Sequence, residues 1–183
     1  MQFLLGFGPF ILFAFLSRVS MTLALWVAFA AAFAVGVNTL VHTRSVRILE
    51  GTSIVLFGVL ALCSMFVTPG LPVGIVRFVI DFGLLAMALL SVAIKKPFTL
   101  PYAKAQTPKL SFIWDQPIFL NINYRITLAW AAAYAVMAAA DIATIYGLLS
   151  LTLDIAVGLL AFLAAIAFTV RYPASVRRKF MGS

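Results

Sequence analysis

The strongest constraint on this chain is the length of its uninterrupted apolar runs. Six can be drawn, at about 3–17, 20–42, 51–68, 73–94, 124–145 and 147–170. Five of them reach the roughly 18 or more apolar residues that carry a helix across a bilayer. They are built from Leu, Ala, Phe, Val and Ile without the strict alternation of a membrane β-barrel. Lipid offers no partner to a backbone N–H or C=O, so each run must satisfy its own backbone as a helix. The first run is short, and Gly6, Gly8 and Pro9 weaken it. Residues 1–42 drawn as one helix would extend about 63 Å, twice the hydrocarbon thickness. A turn is therefore expected near Ser17-Arg18-Val19-Ser20. The expectation is an all-α, polytopic integral membrane protein with five or six transmembrane helices, forming one domain over residues 1–183.

Composition agrees. Apolar residues make up 64% of the chain and charged residues 10%, with mean hydropathy +1.15. A soluble domain carries about a quarter charged residues, so this chain has too few to cover a water-facing surface. The net charge is +8. Most of the basic residues lie between or after the apolar runs, so membrane lipids are the expected partner and nucleic acid is not. The N-terminus lacks a positive n-region and a small-residue cleavage site, so it is expected to be retained.

Orientation follows from lysine and arginine. With six spans, Arg44, Arg47, Lys95, Lys96, Lys104, Lys109, Arg125, Arg171, Arg177, Arg178 and Lys179 fall on one side. Arg18 and Arg77 fall on the other. That bias places the basic side and the C-terminus in the cytoplasm, with the long loop 95–123 among the cytoplasmic segments. A tight outer turn is expected at "TPGLP", 68–72.

Charges inside the runs are the first candidates for chemistry. Arg77 and Asp81 stand one helical turn apart in "GIVRFVIDFG". Asp141 lies late in the fifth run and Asp154 early in the sixth. A lipid-facing charge is costly, so Arg77, Asp81, Asp141 and Asp154 are expected to face the interior and pair. As a structural device such a cluster fixes helix register; as a functional one it forms a proton or ion pathway. The alanine-rich run "AWAAAYAVMAAAD" reads as a face for close helix packing.

The loop 95–123 is the second candidate. Its prolines break any long helix, and Phe98, Tyr102, Phe112, Trp114 and Phe119 are interspersed with lysines. Aromatic and basic residues favour the headgroup layer, which reads as a loop lying on the inner leaflet. Alternatively, Lys95, Lys96, Phe112 and Trp114 form a contact surface for lipid or for a protein partner, with Trp114 as anchor.

Other chemistries find little support in the residues. One histidine, His42, and one cysteine, Cys63, do not provide a multi-ligand metal site, a bis-histidine haem or a CxxC redox pair. No glycine-rich phosphate loop occurs. The expectation is a non-enzymatic protein with no cofactor and no metal.

Several stretches bring a family into view. The chain starts on "MQFLLGFGPFILFAFLSR", leaves a span at "IKKPF", continues through "NINYRITLAWAAAYAVMAAADIATIY" and ends its last span on "VRYP". In these motifs, in length and in span order it resembles the intracellular septation protein A family of bacterial inner-membrane proteins. The resemblance implies a role in cell division and envelope maintenance, exercised through contacts with other inner-membrane proteins, and it brings no catalytic residue. The alternatives are a small transporter or ion pathway using the Arg/Asp cluster, and an accessory subunit of a larger membrane complex.

Overall fold

The computed structural model describes residues 6–44, 47–67, 70–107, 111–112, 114 and 116–181, excluding the side chains of residues 177 and 179–181. The start of the first apolar run, Thr68 and Pro69 of the outer turn, Lys109, and the side chains of Arg177 and Lys179 lie outside the described residues. Among the described residues the α-helices follow in the order α1 (Gly8–Leu16), α2 (Met21–Thr43), α3 (Ile48–Leu62), α4 (Val73–Ala93), α5 (Leu100–Gln106), α6 (Pro117–Ile145) and α7 (Leu151–Met181). No strand occurs among the described residues. Among the described residues, five stretches are long and apolar enough to cross a membrane: Met21–Thr43, Ile48–Val67, Val73–Ala93, Pro117–Ile145 and Leu151–Val176. The protein is therefore an all-α, multi-pass membrane protein. α1, with nine residues, measures about 13 Å and does not cross by itself.

The chain divides into two compact units, one up to Gly83 and one from Leu84 onwards, with α4 contributing a half to each. In the first unit, Ser20 caps α2 by accepting a hydrogen bond from the Leu23 N–H. Ala24, Ala28, Ala32 and Gly36 then form a buried stripe at four-residue spacing. Such small side chains let a neighbouring helix approach closely. A Cβ on Gly36 would stand 2.8 Å from Ile54 of α3, and one on Gly58 of α3 would stand 3.0 Å from the Phe29 ring. α1 covers the same packing from its aromatic side. Phe10 and Phe13 lie with ring centroids 5.0 and 5.8 Å from that of Phe57. The end of α3 widens into one π-helical turn, Cys63–Val67, which lengthens that span.

The second unit is built on the antiparallel hairpin of α6 and α7. The turn between them closes on Gly147 (φ +71°), with the Gly147 N–H donating to Thr144 and the Leu148 N–H to Ala143. This is a Schellman termination, for which glycine is suited. Trp130 fixes the register of the pair. Its indole Nε1–H donates to Thr169 Oγ1 at 3.0 Å, and its ring meets Phe162 edge-on at 5.3 Å.

Both hairpin helices differ from the sequence expectation: α7 starts at Leu151 and continues past 170 to Met181, with Pro173 inside it. α6 begins at Pro117, not near 124, because proline in the first turn needs no N–H donor and Asn123 satisfies its own side chain inside the helix. The loop 95–123 is accordingly shorter, and it contains α5.

Candidate functional site

The structure distributes the four intramembrane charges over both units. Arg77, half-buried, and Asp81, buried, lie a turn apart on the half of α4 that belongs to the first unit. Asp141 and Asp154 belong to the second, and both have 0% exposure. Asp141 stands three turns along α6 from Trp130 on the same buried face. Asp154 stands three turns before buried Ala165 on α7. With Trp130 opposite Thr169, the two carboxylates differ in depth by about 6 Å. Among the described residues no three His, Cys, Asp or Glu side chains come together as metal ligands. His42 is exposed, with Nδ1 2.9 Å from the carbonyl oxygen of Asn38 in its own helix.

The segment after α4 is where the structure departs most from a headgroup-level loop. α4 ends in a second Schellman termination. The Lys95 N–H donates to Val92 and the Lys96 N–H to Ser91, with Lys95 left-handed at φ 58°. Glycine usually occupies that position. The lysine there places a positive charge at the C-terminal, negative end of the helix dipole; Arg44 ends α2 in the same left-handed conformation. Ser91 Oγ then donates to the Ala88 carbonyl and accepts from the Phe98 N–H at 3.2 Å. This draws Phe98 into the interior, where it is fully buried.

One residue on, Thr99 Oγ1 lies 2.9 Å from Thr127 Oγ1 and 3.1 Å from the Asn123 carbonyl oxygen, both on α6. The Asn123 side-chain amide donates to the Phe119 carbonyl. Thr99, Asn123 and Thr127 are all buried. Tyr102, in α5, is buried as well. Phe98 and Tyr102 are thus core residues of the second unit, because the hydroxyls of Ser91 and Thr99 pull this stretch against the helices.

The expected contact residues divide accordingly. Lys95 and Lys96 are exposed, and Phe112 is 71% exposed. Trp114 is half-buried and engaged within the chain. Its indole Nε1–H donates to Thr107 Oγ1 at 3.2 Å, and Lys104 Nζ lies 5.4 Å from its ring centroid. It clasps the segment to itself and offers little as an outward anchor.

Sequence reading missed a third polar centre, in the first unit. Glu50, at the third position of α3, is buried and accepts a hydrogen bond from Thr39 Oγ1 of α2 at 3.0 Å. Arg47 pairs with it at 3.5 Å, and the Arg47 N–H donates to its second oxygen at 3.4 Å. The latter contact is half of a capping box. The spacing Arg47-x-x-Glu50 at the start of an apolar run was the available signal.

No known family, curated protein or solved structure matches this chain.

Proposed function

We propose that this protein acts by association within the membrane, presenting a preorganised basic surface to another integral membrane protein. The observation that carries this reading is the anchoring of the 95–107 segment. Buried hydrogen bonds through Ser91, Thr99, Asn123 and Thr127 hold it against the helices. Lys95 and Lys96 therefore project from a fixed support, with Phe112 exposed further along. A surface that is already ordered loses less entropy on binding than a free loop does. The distribution of lysine and arginine supports a cytoplasmic location for this side. The resemblance to septation proteins of the bacterial inner membrane supplies the setting: a non-enzymatic partner of division or envelope proteins.

The test is affinity purification in mild detergent, comparing the native chain with a Lys95→Gln/Lys96→Gln/Phe112→Ala variant by quantitative mass spectrometry. A membrane protein retained stoichiometrically by the native chain is expected to fall several-fold in the variant. Identical partner profiles would remove this surface from consideration. Even distribution of a fluorescent fusion around the envelope would remove the septation setting and leave the association reading intact.

A second reading, a proton or ion pathway, is favoured by one observation: Asp141 and Asp154 are both fully buried on one hairpin. Ionisable groups at membrane depth often mark such pathways. Liposome flux that disappears in Asp141→Asn or Asp154→Asn would support it; flux unchanged from protein-free liposomes would dismiss it.

A further inference from the structure

One face of the α6/α7 hairpin carries an open apolar groove of ≈ 570 Å³. Ala129, Ala133 and Val136 line it from α6, and Leu160, Ala164 and Phe168 from α7. It opens sideways: Leu160 is 67% exposed and Val136 50%. α7 as a whole is little covered, with 17% of its apolar window buried against 50% for α6. In a bilayer such a groove is filled by hydrocarbon, since water gains no polar partners there.

Three features select the occupant. The first is length. The α7 wall runs from Val157 to Phe168, about 16 Å at 1.5 Å per residue, which is close to half of a hydrocarbon core of about 30 Å. The groove is as deep as one leaflet. The second is charge. Arg125 lies four residues before Ala129, and Arg171 three after Phe168, so each continues the stripe that lines the groove. Both arginines are exposed. The third is register. Trp130 opposite Thr169 brings Arg125 and Arg171 to the same end of the antiparallel pair, within about one helical turn of each other in depth. A neighbouring apolar helix has no use for two guanidinium groups at the end of its seat, whereas a phosphate does. Tyr172, stacked on Phe168 at 4.8 Å, adds an aromatic ring at the same level.

The geometry points to a bound anionic glycerophospholipid of the leaflet on the basic side, with an acyl chain in the α6/α7 groove and its phosphate between Arg125 and Arg171. This site is independent of the proposed protein-contact surface at Lys95, Lys96 and Phe112.

The full-length protein, released from mixed micelles of equal phosphatidylglycerol and phosphatidylcholine, provides the test by native mass spectrometry. Two arginines near the membrane surface predict a preference of about thirty-fold for the retained anionic lipid. Arg125→Gln/Arg171→Gln is expected to bring that preference close to unity, and Arg125→Lys/Arg171→Lys to keep part of it. Ala164 is exposed in the groove, so Ala164→Phe fills the groove from its open side and is expected to lower retention of both lipids. Equal retention by the native chain, or a preference that survives in the double Gln variant, overturns the site. A dimer mass that disappears with Ala164→Phe while lipid retention is unchanged also overturns it, because the groove then seats a second copy. If Ala164→Phe does not fold, the two arginine variants, altered only at exposed positions, decide the matter.

Discussion

The two units secure neighbouring helices with polar groups of different kinds. In the first, the α2–α3 turn is tied by a charged centre: Arg47 and Glu50, three residues apart, with Thr39 reaching across from α2. In the second, the tie is neutral and long-range, through Ser91, Thr99, Asn123 and Thr127. Both are buried. A charged centre is strong only while complete, because a lone buried ion is costly. A neutral network tolerates the loss of a matched pair. The charged device suits a short turn that must close firmly. The neutral one suits a segment that must be held in place without a net charge at its core.

The largest expected effect separates the two. Arg47→Met leaves Glu50 buried without its guanidinium partner and is expected to cost about 3 kcal/mol of unfolding free energy in mixed micelles. Thr127→Val should cost about 1 kcal/mol, since it removes one neutral partner of Thr99. The double variant Thr99→Val/Thr127→Val is expected to cost less than the sum of its single changes, read as the coupling in a double-mutant cycle. Full additivity would show that the two hydroxyls do not act together. The smallest effect lies outside both centres. Thr169→Val removes one interhelical hydrogen bond, from Trp130, and leaves the Trp130–Phe162 ring contact in place; the average for such bonds within membranes is about 0.6 kcal/mol. A larger loss would mean that this bond governs the α6/α7 register more than the Phe162 contact does.

Much of the architecture was legible because lipid leaves few choices. Five long apolar runs became five helices, and the buried positions of Asp141 and Asp154 follow the cost of a charge in hydrocarbon. The polar centres were less legible, for a reason visible in particular residues. Glu50 stands at the edge of a run, where it reads as a boundary residue; its burial depends on Thr39, eleven residues earlier on another helix. Phe98 and Tyr102 read as headgroup aromatics among lysines, and only the hydroxyls of Ser91 and Thr99 place them in the interior. The start of α6 lies before the fifth apolar run, where the Asn123 amide is satisfied by Phe119 one turn back. Trp114 reads as an outward anchor among lysines, whereas Thr107 and Lys104 engage it within the chain. Hydrophobic patterning finds a span but not the partner of a hydroxyl.

The Thr99 contacts also set an order on biogenesis. Their partners lie 24 and 28 residues further along the chain. At about 5–20 residues per second of synthesis, Lys95 and Lys96 emerge seconds before the part of α6 that locks the segment behind them. A nascent chain stalled before Asn123 would carry the same lysines on an untethered strap. The finished arrangement of that surface is therefore a marker that α6 has been made and has reached Thr99.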